Sequence, residues 1–512
     1  MGGPEAAVLH APPSIESEKP LREAILEGRF FGPGYRDVAV QLSGFLHGDA
    51  APAGWFGDTF PAHTCRDIVL AALTRDIAAI DELIAEQLDA VLHAPKLQTL
   101  EGRWRGLHWL VSGTEPNRRL KVKVQQATWA ELSRDLERAL EFDQSILFRR
   151  VYEEEFGTAG GEPIGLMVID HAVRHRRTAA EPTDDVGILR LLSAVAAAAF
   201  VPTVLGLHPS VLDVDDFSEL GAIADIAEPF RRSEHTAWRS LVRRPDTRFL
   251  ALTLPRVLAR HPWADDPGRR DGFRYREYAP TAAERTWMSA AYPFAACVVR
   301  AFANHGWPAD VRGVETDRVG GGLVTDLPPE PFASGPAQAW TRVSLDYRLT
   351  DRQEQALVDA GLLPLTALPY GPDLVFGSAH SLQSPGTYQG ATAAAAGANA
   401  RLSSQVNSIL CASRFAHLLK VMGRDMVGSL QTADQIERHL QAWLQKYVNT
   451  NFASTGDSRA RFPLVDGDVQ VREQPGKPGT FSCIMRLQPH HQLDDVASTF
   501  SLVTELAQPG RS

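Results

Sequence analysis

The sequence predicts a mixed α/β protein of several domains, and three stretches carry that expectation. Ile164–Asp170 and Val201–Leu207 are compact apolar runs flanking a helical stretch, Asp184–Phe200. Strand, helix, strand at this spacing is the pattern of a parallel βαβ unit. Cys65–His93 places Leu73, Ile77, Ile80, Ile84, Leu88 and Val91 at helical spacing, with Asp76, Asp81, Glu82, Glu86 and Asp89 facing away. Toward the end, Val469 and Val471 alternate with polar residues, Pro475–Gly479 turns, and Phe481–Leu487 alternates again, as in a β-hairpin.

Composition narrows the class. The chain has 512 residues, 44% of them hydrophobic, enough for about two to four domains with ordinary cores. A net charge of −10 gives no general affinity for nucleic acid or anionic membranes. Cys65, Cys297, Cys411 and Cys483 are far apart and form no CxxC pair, which argues against a disulfide framework or zinc ribbon. No basic region leads into an apolar core at the N-terminus, and no apolar run approaches the roughly 20 residues of a membrane span. The expectation is a soluble cytoplasmic chain.

In order, residues 1–64 read as an N-terminal arm, two short helices (Pro20–Arg29 and Tyr35–His47) and a linker, Ala50–Thr64. Before Lys19 the chain is either an extended arm or a frayed end. Pro95 stops the long helix. Trp104 and Trp109 flank a Gly-Leu turn and read as core anchors, followed by a half-buried strand at Leu120–Val124. From Trp129 a long helix carries Leu132, Leu136, Leu140 and Leu147 on one face and ends at Glu153–Glu155. Arg248–Pro255 is a third strand, Thr286–Asn304 a buried helix, and Val311–Val314 a fourth strand. Thr350–Ala360 is a capped helix. Ala391–Ala400 marks a boundary or mobile loop. Two helices (Arg401–Val427 and Thr432–Tyr447) precede the hairpin, and Ser498–Leu506 supplies a last strand. The divisions are therefore 1–64, 65–160, an α/β middle domain over 161–385, and a C-terminal domain over 386–512.

Several strings go beyond class. Leu100-Glu101, Trp104–Leu107, Glu141–Ser145, Val151–Gly157 and Gly160–Pro163 together resemble the large subunit of the contractile sheath of bacterial type VI secretion systems, the TssC/VipB/EvpB family related to phage tail sheaths. The likeness continues through Ala237–Ser240, Leu252–Arg256, Arg312–Glu315, Gly320–Gly322, Ser381–Gln383, Arg414–His417, Arg424-Asp425 and Leu487–His490. It is collinear over more than four hundred residues from about Cys65 onward. The first 64 residues depart from the pattern, and Thr316–Val319 sits as an insertion before the triple glycine.

The resemblance implies a phage-tail-sheath-like subunit whose C-terminal helix-plus-hairpin domain lies innermost. It implies a structural, contracting role with these partners: a small sheath subunit of the TssB/VipA kind, neighbouring copies, a hexameric Hcp-like inner tube, a baseplate, and an AAA+ ATPase that recycles contracted sheath. On it, Val469, Val471, Ser482, Ile484 and Arg486 are expected in strands that pair between subunits, completed by an N-terminal arm near Ala6–His10. Trp104, Trp109, Leu132, Leu136 and Leu140 are expected in the core or against the small subunit.

No catalytic, cofactor or metal set is expected. His171 and His175 are four apart, but Ala172 breaks HExxH and no third ligand is visible. His490-His491 suit an interface or core edge better than a metal. Adjacent carboxylates at Glu153–Glu155 cannot converge on a helix and suit a solvated end or an ion-pairing patch. Gly320–Gly322 suits a turn needing positive φ, since no Lys follows it as in a phosphate loop. An α/β enzyme would need a cleft with converging titrating groups. A non-polymerising adaptor for the small subunit is the other alternative.

Overall fold

The longest helix of the described chain is Arg66–Leu92, within the range the amphipathic pattern marks. The computed structural model describes residues 21–28, 35–47, 55–56, 65–114, 119–158, 160–268, 272–314, 319–328, 330–333, 339–369, 371–386, 393–426, 432–450, 456–473, 481–489 and 500–506. Two units divide it, one within Met1–Leu97 and Pro262–Arg285, the other within Gln98–His261 and Thr286–Ser512. The Ala6–His10 arm, the 475–479 turn, residues 315–318 and His490-His491 lie outside the described residues.

In the first unit, α1 (Leu21–Leu26), α2 (Tyr35–His47) and α3 (Arg66–Leu92) pack around Ala24, Ile25, Val38, Trp55, Phe56 and Ala72. Trp55 and Phe56, expected in a linker, are core residues. Asp76, expected to face away, is only 3% exposed. It accepts hydrogen bonds from Arg22 Nε (2.6 Å), Arg22 Nη2 (2.8 Å) and Trp55 Nε1 (2.9 Å). A buried carboxylate is tolerated when charge and donors meet it this way. The same unit ties the far end of α3 to Pro262–Arg285, where Tyr275 Oη donates to Asp89 Oδ1 at 2.6 Å and His93 Nε2 meets Glu277 Oε1 at 3.2 Å.

The second unit begins at Gln98, within α4 (Pro95–Ser112). The expected Gly-Leu turn is helical instead. Gly102 and Gly106 sit where an added Cβ would lie 2.1 Å from the Trp287 carbonyl oxygen and 2.4 Å from the Tyr292 ring, so they serve close packing. Leu120–Val124 is extended but joins no described sheet, and Val122 and Val124 are exposed. Lys121 pairs with Glu162 at 2.6 Å, and Lys123 with Glu155. The long helix from Trp129 is interrupted: α5 (Trp129–Arg138) ends, and helix resumes at Ile146 and runs through Phe156 with a π-helical stretch. Competing caps explain the break. Asp135 accepts from the Ile146 and Leu147 amides, and the Ser145 side chain from Phe148 N.

The βαβ unit forms as expected. β1 (Met167–Val173), α6 (Asp185–Ala199) and β2 (Thr203–Leu207) are followed by α7 (Thr236–Val242) and β3 (Leu250–Leu254), and the three strands pair in parallel in that order. Every residue of β2 and β3 is buried, the burial of a parallel sheet covered on both faces. α8 (Ala291–His305) and α9 (Asp351–Asp359), capped by Thr350 with Gln353, precede the fourth strand, β4 (Leu363–Pro364). Val311–Val314 is not that strand. Its residues bend instead into a turn beside Gly321, whose φ is +61° and whose amide donates to Asp310.

Where it is described, Ala391–Ala400 is helix rather than loop: it lies in α10 (Ala393–Ser403), in keeping with alanine's helix propensity. α11 (Val406–Met426) and α12 (Ala433–Leu444) then carry the C-terminal sheet: β5 (Leu464–Glu473), β6 (Phe481–Pro489) and β7 (Phe500–Leu506), antiparallel in that order.

Candidate assembly surfaces

The period-two pattern of β5 and β6 puts Val469, Val471, Cys483, Met485 and Leu487 on one face, packed with Phe415 and Leu419 of α11 and Ile436, Leu440 and Leu444 of α12. Ser482 and Ile484 are half-buried on the other face, with Arg486 exposed. The expected pairing residues are thus split between the inner and outer faces, and all of them lie in strands already paired within the chain.

The two edges of this sheet differ. On the outer side of β5, the Val469 amide donates to Gln441 Oε1 (2.8 Å) and the Val471 amide to Glu437 Oε2 (2.9 Å). The Gly467 carbonyl accepts from Gln441 and Gln445, and Asn449 N donates to Leu464 O. Side chains of α12 therefore close that edge. At the other side, β7 pairs only with β6 among the described residues. An open strand edge offers a row of backbone donors and acceptors.

Two helices also show apolar faces that are exposed among the described residues. On α3, Leu70, Ile77 and Val91 are 47%, 57% and 49% exposed, with Ile84 half-buried between them at the same seven-residue step. A seven-residue apolar repeat is the seam of helix–helix pairing. On α4, Leu100, Trp104 and Val111 are exposed opposite the buried Gly102, Gly106 and Leu110.

Trp104 is 63% exposed, so it is not the core anchor it was expected to be, and Leu140, expected in the core or against the small subunit, is 91% exposed and outside the core. Trp104 lies on the outward side of a helix rather than in a turn, and Leu140 falls in the break after α5. Trp109 is half-buried and donates its indole N–H to the Asp326 carbonyl at 3.1 Å. Leu136 is fully enclosed, with Leu132 packed beside it.

Several charged groups, within the recognisable strings and outside them, are occupied structurally. Glu101 accepts from Arg105 Nε (2.7 Å), Arg260 Nε (2.8 Å) and Thr286 Oγ1 (3.2 Å); burial opposes its charge, but these partners hold its carboxyl below the usual range. Asp185 likewise stays low against burial, meeting His171 at 3.0 Å, Trp129 Nε1 at 2.7 Å and the Arg174 amide. Glu155 is taken by Lys123 and the Glu162 amide. His417, in α11, donates through Nε2 to the Ala199 carbonyl at 3.1 Å, and burial lowers its pKa to about 4. The histidine pair separates: His171 stacks on Trp129, whereas His175 is buried against His235 beside Asp213. His175 thus meets Asp213 and His235, from the connection after β2, rather than His171.

A subunit with closed cores, open strand and helix surfaces and charges committed to internal contacts belongs to the structural, assembling class. Two family models place it further: that of the EvpB/VC_A0108 tail sheath N-terminal domain matches residues 74–383, and that of the EvpB/VC_A0108 tail sheath gpW/gp25-like domain matches residues 395–506. The type VI secretion system sheath protein TssC1 of Pseudomonas aeruginosa is 33% identical over 435 residues, covering 84% of this chain and 85% of the relative. The chain belongs to this tail sheath family and is a structural subunit of a type VI secretion contractile sheath. No described helix is long and apolar enough to cross a membrane.

Proposed function

We propose that this chain builds the sheath through surfaces left incomplete in the single subunit. The observation that carries the reading is the asymmetry of the C-terminal sheet: one edge is closed by α12, and among the described residues no strand pairs with the outer edge of β7. A strand from a neighbouring subunit adds to that edge, because backbone hydrogen bonds give strong links while the connecting segments bend. The helical seam Leu70-Ile77-Ile84-Val91 takes a helix of the small sheath subunit, and the α4 face around Trp104 adds to the same kind of contact. Residues 65–160 thus serve pairing with the small subunit, and 386–512 form the layer facing a hexameric inner tube.

Small differences in contact per subunit, summed over the lattice, store the free energy of contraction. A baseplate starts this collective change, and an AAA+ ATPase in the cytoplasm dismantles the contracted product. The chain does no chemistry in this account. Co-expression with the small sheath subunit and negative-stain microscopy tests it: long hollow tubules are expected, and a soluble complex that never polymerises would overturn it in favour of an adaptor.

A further inference from the structure

We propose that His175, Asp213 and His235 form a binding site for one divalent transition-metal ion of the zinc class. One potential ligand atom from each lies within 4.8 Å of the others. His175 follows β1, Asp213 follows the short helix after β2, and His235 immediately precedes α7. An ion there would tie the β1–β2 connection to two points of the β2–β3 connection.

The polar atoms of this cluster are left without partners. His175 is 7% exposed and His235 fully buried, yet both ring nitrogens of His175, Nδ1 of His235 and Oδ1 of Asp213 are buried with no hydrogen bond. Buried polar groups are nearly always satisfied, so this concentration needs an explanation. The surrounding contacts prepare the free atoms as ligands. His235 Nε2 meets the Val211 carbonyl at 3.0 Å, which fixes the proton on Nε2 and leaves Nδ1 with a bare lone pair. Arg232 Nη1 donates to Asp213 Oδ2 at 2.6 Å and orients the carboxylate with Oδ1 free. Two imidazoles and one carboxylate, at the usual distances of about 2.0–2.2 Å, form a three-ligand zinc set with one position for water.

Nearby cations are already neutralised, Arg176 by Glu234 and Arg232 by Glu228 and Asp213. The two imidazole rings are stacked at 4.2 Å, so ring rotation must accompany binding. The competing account is a dry stack of neutral rings.

Tag-free full-length protein is stripped with chelator, then loaded with Zn²⁺ for elemental analysis and with Co²⁺ for visible spectroscopy. One zinc per chain and the intense ligand-field bands of low-coordinate cobalt are expected. His175→Ala and His235→Ala should lower metal affinity by roughly tenfold or more. His108→Ala, on the exposed side of α4, should bind as wild type. Asp213→Asn keeps the shape of the side chain and reads the same loss if a histidine variant fails to fold. Wild-type protein without stoichiometric zinc, or zinc retained unchanged in the folded site variants, overturns the site and leaves the dry stack.

Discussion

The two larger sheets of this chain are built to opposite ends. The parallel sheet is closed at its centre: β2 and β3 are buried along their whole length, Leu189, Leu192, Leu205 and Leu252 are inaccessible, and only β1 at one side is mostly half-buried. The C-terminal sheet is half-finished. Its inner face is packed against α11 and α12, its outer face is partly exposed, and among the described residues its last strand is paired on one side only. The difference assigns stability to one and linkage to the other. A sheath subunit must survive a lattice rearrangement as a body, while its connections to neighbours hold and bend.

Damage to the closed sheet should be the most severe. Leu205→Ala removes a buried side chain from its second strand and should cost about 2–5 kcal/mol, read as a lower denaturant midpoint with loss of soluble sheath. If it left stability unchanged, the closed sheet would not be the stabilising region.

The join between α11 and the end of α6 should be pH-sensitive. His417 is neutral in the fold with a pKa of about 4, against 6.5 when unfolded, so the unfolded chain takes up the proton first as pH falls. Stability should drop by roughly 2 kcal/mol between pH 6.5 and 5 from this group. His208, also lowered to about 4 by burial, acts in the same direction. His417→Gln should flatten the fall in pH-dependent denaturation, and an unaltered slope would show that the ring is already charged.

Surface changes should separate folding from assembly. Ile77→Glu, at a 57% exposed position, should alter the isolated chain's stability by no more than about 0.5 kcal/mol while removing co-purification with the small subunit. Retained co-purification would move the partner off this seam. Trp104→Ala should change the melting temperature least, in contrast to the roughly 3–5 kcal/mol expected of a buried tryptophan.

Much of the fold was legible because its signals are local. The apolar runs marked β1, β2 and β3, heptad-like spacing marked α3, and alternation marked β5 and β6. What failed depended on partners distant in sequence. Asp76 stands between Leu73 and Ile80 on the apolar stripe, a hint of burial, but Arg22 and Trp55 come from segments that read as a separate short helix and a linker. Gly106 read as a turn residue, and Gly102 gave no packing signal, because the surfaces they admit, Tyr292 and Trp287, lie far along the chain. Trp104 shows the limit of residue type alone, since a large aromatic suits an interface as well as a core. Edge closure by Glu437 and Gln441, and the meeting of His175 with Asp213 and His235, have no signature in spacing.

The most direct test of the open edge uses two successive residues of β7. Neighbouring residues in a strand point their amides to opposite sides, so prolines at Val503 and Thr504 remove one inward and one outward donor. Both variants are co-expressed with the small sheath subunit and measured for melting temperature and for sheath length by negative-stain microscopy. One proline should lower the melting temperature by breaking the bond to β6. The other should leave it near wild type yet abolish long sheaths. Full-length sheaths from the thermally unaffected variant would contradict strand addition at β7.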